Sequence, residues 1–125
     1  MTAERPSPLP RIPLLAGAIV LADFGHTLGR AQSGMRPAVV ISSDDFQEAL
    51  SQLTIVVPCT TTDRGWSNHV ALSGDTGLPS TTYALTEQLR VIGLERVVRI
   101  LGRVDEPTLT QICQWVRRWI HLGVA

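Results

Sequence analysis

Apolar residues along the chain fall into short dense runs divided by turn-rich polar stretches. The run Ala18-Ile19-Val20-Leu21-Ala22-Asp23-Phe24 is short and nearly continuous in its apolar character, which predicts a buried strand. After the loop Gly25 to Gly34, rich in glycine, Arg36-Pro37-Ala38-Val39-Val40-Ile41-Ser42 predicts a second strand from its β-branched content. Pro37 fits only the start or an edge of that strand, because it offers no N–H. Ser43 to Leu50 reads as one or two helical turns: Ser43 is placed to cap it, and Asp44 and Asp45 suit the positive end of the helix dipole. Four further strands are expected at Leu53–Val57, His69–Leu72, Thr81–Leu89 and Val97–Val104, with Asp63-Arg64-Gly65 and Ser73-Gly74-Asp75 as turns.

The spacing changes at the end of the chain. Leu109, Ile112, Cys113, Val116 and Ile120 follow i, i+3, i+4, i+7 and i+11, one face of an amphipathic helix. Asp105 is a suitable N-cap, Pro107 is allowed in the first turn, and Gly123 is a natural stop. At the other end, Pro6, Pro8, Pro10 and Pro13 keep residues 1–16 out of any central sheet, so this stretch is expected to be an extended tail before a single domain over residues 17–125. The fold class predicted is mainly β (α+β): a small, strongly bent sheet or barrel of five to six strands with a C-terminal α-helix.

Composition narrows the function. A chain of 125 residues with 44% hydrophobic content supports one domain with a real core. Cys59 and Cys113 sit in apolar stretches and make no CxxC motif, so a reducing compartment is the better expectation and Cys59 reads as a small buried hydrophobe. The histidines are scattered, and no metal site is expected. The segment Ile12–Ala22 mimics the apolar region of a signal peptide, yet Pro13 and Gly17 interrupt it and it falls well short of the roughly 20 residues that span a bilayer. Net charge is zero, which does not advertise a nucleic-acid binder, but every positive residue is Arg. Any anion site must then be built from guanidinium groups and backbone N–H groups.

Five strings, in order, carry a family resemblance. Gly34-Met35-Arg36-Pro37-Ala38-Val39-Val40-Ile41-Ser42 resembles the G-x-R-P-A-V-V-[LI]-S segment of MazF/PemK toxins. Val56-Val57-Pro58-Cys59-Thr60-Thr61, Val70-Ala71-Leu72-Ser73-Gly74 and Thr86-Glu87-Gln88-Leu89-Arg90 are similar to the family's later motifs, and Gly102-Arg103-Val104 then leads into a terminal helix as it does there. The resemblance covers about residues 17–122. It implies an SH3-like barrel that dimerises, cuts single-stranded RNA without a metal or other cofactor, resides in the cytoplasm with no membrane role, and is bound by a cognate antitoxin protein. By the same resemblance Arg36 and Thr60 are the catalytic pair. Thr27, Arg30 and Gln32 look like a flap over RNA, and Glu87, Gln88 and Arg90 would line the base-reading cleft. Apart from the resemblance, Thr61, Arg64 and Trp66 are further candidate RNA contacts. Several relatives carry an acidic residue where this chain has Ala31, a departure that bears on specificity and rate.

Read as residues alone, Arg36 would be a strand-start surface cation paired with Asp44 or Asp45, and Thr60 an ordinary β-former. Together with the glycine loop, they match a site that stabilises charge developing on a phosphate. His26 and His69 offer a rival acid–base pair. Trp66 is equally a base-stacking platform or a lid on the sheet. Trp115 and Trp119 either pack on the barrel or mark an interface. Two other functions compete: a non-enzymatic CcdB-like toxin that poisons DNA gyrase through its terminal helix, and an SH3-like adaptor, for which the aromatic-lined groove is missing.

Overall fold

The computed structural model describes residues 14–25 and 34–121. Seven strands and two helices follow in order: β1 (Ala18–Asp23), β2 (Met35–Val40), α1 (Asp44–Ala49), β3 (Leu53–Thr60), β4 (His69–Ala71), β5 (Tyr83–Leu85), β6 (Arg90–Gly93), β7 (Val97–Arg103) and α2 (Glu106–Trp119). All pairings are antiparallel, in the order β4-β5-β3-β2-β1-β7, with β6 also on β3. The mainly β class with a terminal helix stands. The sheet is strongly bent without closing its ladder into a full barrel.

The expected strand over Thr81–Leu89 shrinks to β5, and a strand the sequence did not predict, β6, begins just beyond it at Arg90. Thr86–Gln88 forms a single 3-10 turn between β5 and β6, so the apolar positions on either side of it serve different parts of β3. β3 itself runs three residues past Val57. Its first half, Leu53–Val56, pairs with β6, and its last two residues, Cys59 and Thr60, pair with β5. Pro58 falls at that change of partner, where a missing N–H breaks no ladder bond. Pro37 is similarly tolerated: β2 joins β3 only from Ala38 onward.

The run of apolar residues in β1 is nearly continuous because both faces of the central strands are buried. Ala18, Val20 and Ala22 join Phe24, Ala38, Val40, Val56, Ile92 and Val97 in one cluster, with Leu14 and Leu94 packed against it. Ile19, Val39, Val57 and Cys59 face the other way, onto Val70, Ala84, Val104, Ile112 and Val116. Successive strand residues point to opposite faces, so a strand sandwiched on both sides shows no alternation. Register shifts at Ile19/Val20 and Leu21/Ala22 bend β1 against β7. The outer side of β7 is partly covered by the segment 75–77: Arg103 donates its N–H to the Asp75 carbonyl at 2.8 Å. A Cβ on Gly77 would lie 2.1 Å from the Leu101 carbonyl oxygen and one on Gly102 2.3 Å from that of Thr76, so this approach requires glycine at both positions.

Both helices are capped as the sequence requires. Ser43 Oγ accepts from the Phe46 N–H at 3.2 Å and Asp105 Oδ1 from the Thr108 N–H at 2.9 Å. α2 stops at Trp119, before the expected stop at Gly123, which lies outside the described residues along with 1–13 and 26–33. Ile112 and Val116 carry the buried stripe of α2, whereas Ile120 is half exposed and leaves it.

Candidate active site

Arg36 is the second residue of β2, half-buried, opposite Ala22 of β1. Thr60 is the last residue of β3, buried, opposite Tyr83 of β5. The β2–β3 register pairs Val40 with Val56 and Ala38 with Pro58. The paired ladder ends there; because the two strands are antiparallel, Arg36 and Thr60 each lie two residues beyond that last pair, at the same end of the sheet. Alternation gives both the same side of the sheet: Arg36 follows Ala38 and Val40, and Thr60 follows Val56, all members of the first core cluster or in phase with it. This is the face opposite α2. The length of β2 separates Arg36 from the helix bearing Asp44 and Asp45.

The loop above this end of the sheet is tied at its base. Gly34 donates its N–H to the Gly25 carbonyl at 2.8 Å and Phe24 donates to the Gly34 carbonyl at 2.9 Å. Both glycines have positive φ, 63° and 74°, a backbone turn that side chains oppose. The guanidinium of Arg90 lies 5.0 Å over the Phe24 ring, a cation–π contact that sets Arg90 beside the loop base. Thr27, Arg30 and Gln32, with His26 and Ala31, fall in residues 26–33, outside the described part of the loop.

Beyond Thr60 the chain crosses to β4. The Thr62 N–H donates to Thr60 Oγ1 at 3.2 Å, so the hydroxyl keeps its proton for another acceptor. Thr61 and Arg64 are exposed on this crossing. Tyr83, which sequence reading did not single out, faces Thr60 across the ladder. Partial desolvation, then the charge and hydrogen bond of Asp63, hold its phenol above the ordinary range.

A second cluster forms where β4, the 3-10 turn and the end of α2 meet. His69 Nε2 is 3.0 and 3.1 Å from the two carboxylate oxygens of Glu87, and Asn68 Nδ2 donates to Glu87 Oε1 at 2.8 Å. Burial pushes the Glu87 carboxyl upward, but its own backbone N–H and His69 outweigh that, leaving it below the ordinary range. Thr86 Oγ1 donates to the Asn68 carbonyl at 2.8 Å and accepts from Trp119 Nε1 at 3.2 Å. The Trp66 ring packs on His69 with centroids 4.8 Å apart, yet half of Trp66 remains exposed. Gln88 follows on the same turn, half-buried. Trp66 is therefore no lid: one face is backed and the other meets solvent. Trp115 stacks on Trp119 at 5.7 Å and packs against the second core cluster.

The structure thus groups Arg36, Thr60 and Arg90 on one face and Trp66, Glu87 and Gln88 at the adjoining end, joined by the Thr61–Asn68 crossing. His69, expected as a candidate acid or base, is buried and committed to Glu87. The partnership of β4 with the turn 18 residues later left no local pattern; only the polar character of Asn68 and His69 ahead of an apolar strand hinted at it. Cys59 is fully buried, and burial pushes its thiol up to about 12, which rules it out as a nucleophile. Among the described residues no cluster of three or more His, Cys, Asp or Glu side chains could hold a metal ion, and no helix is long and apolar enough to cross a membrane.

Several known proteins resemble this chain over most of its length. The endoribonuclease MazF9 of Mycobacterium tuberculosis is 34% identical over 114 residues, covering 86% of this chain and 95% of that protein. The endoribonuclease toxin MazF of Escherichia coli is 40% identical over 58 residues, 46% of this chain and 51% of that protein. Among solved structures, MazF from Deinococcus radiodurans superposes with a TM-score of 0.75 at 22% identity, over 88% of this chain and 97% of that one. A mycobacterial endoribonuclease solved in complex with its cognate antitoxin gives 0.68 at 22% identity, over 89% and 98%. The family model for the PemK-like, MazF-like toxin of type II toxin–antitoxin systems matches residues 15–120. The chain belongs to this PemK-like, MazF-like toxin family.

Proposed function

We propose that the chain is a sequence-specific endoribonuclease that cleaves single-stranded RNA as the toxin of a toxin–antitoxin pair, inhibiting translation and growth. What supports this reading is that Arg36, near the start of β2, and Thr60, at the end of the neighbouring antiparallel β3, lie at one end of the sheet, beside a loop tied at Gly25 and Gly34, in a family whose relatives are named endoribonucleases.

The chemistry needs few groups. The 2′-oxygen of the substrate loses its proton and attacks the adjacent phosphorus, the P–O5′ bond breaks, and the 5′-oxygen takes up a proton. A 2′,3′-cyclic phosphate and a 5′-hydroxyl result. Because RNA supplies its own nucleophile, no metal-activated water is required. The Arg36 guanidinium clamps the phosphate and stabilises the charge that grows on it in the pentacoordinate state. Thr60 Oγ1, already accepting from Thr62, donates its proton to a phosphate oxygen or orients the 2′-hydroxyl. Arg90 and Arg64 hold flanking phosphates, Trp66 stacks on a base, and Glu87 and Gln88 read base edges. Thr27, Arg30, Gln32 and Thr61 complete the RNA contacts.

The working form is a cytoplasmic homodimer, controlled by a cognate antitoxin that occupies the cleft. Support for an antitoxin comes from the related endoribonuclease solved with one. The gyrase-poison reading is less favoured, because the Trp119 indole is bonded to Thr86 in the turn that carries Glu87. The test is incubation of a long single-stranded RNA with the protein in excess EDTA, beside Arg36→Ala, followed by mapping of the cut ends. Discrete cuts ending in cyclic phosphate by the wild type alone are expected; intact RNA from a folded wild type overturns the reading.

A further inference from the structure

We propose that His69 is a positioning residue for base recognition, a single buried imidazole that sets both walls of a subsite for an unpaired nucleobase bearing an exocyclic amine. This rests on the reading of Glu87 as a base-reading residue.

The hydrogen-bond inventory leads to His69. A carboxylate only accepts, so Nε2 carries the proton that Glu87 receives at 3.0 and 3.1 Å. The other ring nitrogen, Nδ1, is buried and has no hydrogen-bond partner. Buried polar atoms without partners are rare and cost stability. A side chain kept for packing alone would be served better here by a leucine. What the imidazole supplies, and a leucine does not, is the Nε2–H on Glu87 and a flat aromatic face.

That face backs Trp66, at 4.8 Å between centroids and 33° between planes. With His69 behind it, the half-exposed indole is held as a platform for a base to stack on. Asn68 Nδ2, at 2.8 Å, and the Nε2–H of His69 fix the carboxylate between them, while part of Glu87 remains open to solvent. A fixed carboxylate offers lone pairs and no donor. It suits the amino groups of adenine, cytosine or guanine and repels the carbonyl O4 of uracil. Thr86 and Trp119 stiffen the turn from behind through the bond between Trp119 Nε1 and Thr86 Oγ1.

The test compares wild type, His69→Leu, His69→Gln and Glu87→Gln on a pool of short single-stranded RNAs, reading the cut-site profile together with kcat and KM on the preferred sequence. His69→Leu is expected to raise KM about tenfold, more than it lowers kcat, and to flatten preference at one base position. His69→Gln, whose amide N–H reaches Glu87, restores part of that preference. Glu87→Gln admits uracil at the same position, since its amide also donates. A uniform loss across all sequences after His69→Leu marks a merely structural role and overturns the proposal. So does an unchanged profile in His69→Leu when Glu87→Gln alters it. An unchanged profile in Glu87→Gln overturns the reading of Glu87 itself, and the proposal falls with it. If His69→Leu does not fold, Asn68→Ala loosens the same carboxylate from the surface. A smaller shift at the same base position is then expected, and no shift counts against the proposal.

Discussion

The Arg36–Thr60 end of the sheet and the His69–Glu87 cluster are held by different means. In the first, the antiparallel pairing of β2 with β3 and the glycine-tied loop base bring Arg36 and Thr60 to one end of the sheet. The second is positioned by side chains: His69, Asn68, Thr86, Glu87 and Trp119 bond to one another across three elements, 18 to 33 residues apart. Charge stabilisation needs a guanidinium aimed at the phosphate, which a fixed strand end provides. Discrimination between bases needs acceptors and donors held in set directions, which a network provides. Loss of function should therefore split: variants at the first region remove rate, and variants at the second remove selectivity and stability.

The largest effect expected is at Arg36. Arg36→Ala should lower the rate of RNA cleavage at least about a hundredfold, the scale of losing one preorganised donor from a charged transition state. Its melting temperature should stay close to wild type, because the residue lies at a strand end. Single-turnover cleavage of a fluorogenic RNA, run beside a thermal melt, separates the two. A variant that melts early would show that this region too depends on side-chain bonding, and the contrast would fail.

Thr60→Val comes next. Valine keeps the shape and the β-propensity and removes the hydroxyl. Cleavage should fall about tenfold, the value of one hydrogen bond in the transition state. The buried position and the lost bond from the Thr62 N–H add a small destabilisation. A loss as large as that of Arg36→Ala would make Thr60 an equal partner in the chemistry.

How much of this was legible in the sequence follows the same division. Most strands and both capped helices depend on local pattern and were readable, whereas Arg36 and Thr60 were singled out by the ordered motifs of the resemblance. β6 was not, since the string from Thr81 to Gly93 has no Gly or Pro before its end to mark the 3-10 turn that divides it. Nor was the continuation of β3 through Pro58, which a proline argues against until a change of partner strand is seen. The partnership of His69 with Glu87 is a tertiary contact with no local signature, so His69 read only as a lone candidate base. Arg64 and Thr61 are exposed on the crossing segment, where the described contacts add nothing to their proposed RNA roles.

Trp119→Phe tests the second region without touching Glu87. It keeps the ring stacked near Trp115 and deletes the Nε1–H that Thr86 accepts. A neutral hydrogen bond of this kind contributes about 1 kcal/mol, and the melting temperature should fall by roughly 3–5 °C. A much larger drop would place the indole in a more extensive interface, such as that of the dimer.

The smallest effect is also the most selective. Because the folded protein holds the Glu87 carboxyl below its ordinary value of 4.5, the ionised form is favoured by folding. That contribution is fully present above the ordinary value and is lost as pH falls through the lowered folded value. Glu87→Gln removes it at every pH. The variant should therefore melt below wild type near neutrality, with the gap closing as pH drops below about 4.5. Every other carboxylate titrates in both proteins, so the difference between the two melting curves isolates Glu87. A gap that stays constant down to acid pH would mean that His69 and Asn68 gain nothing from the charge on Glu87. The cluster would then be held by shape alone, as the Arg36 end is held by its strands.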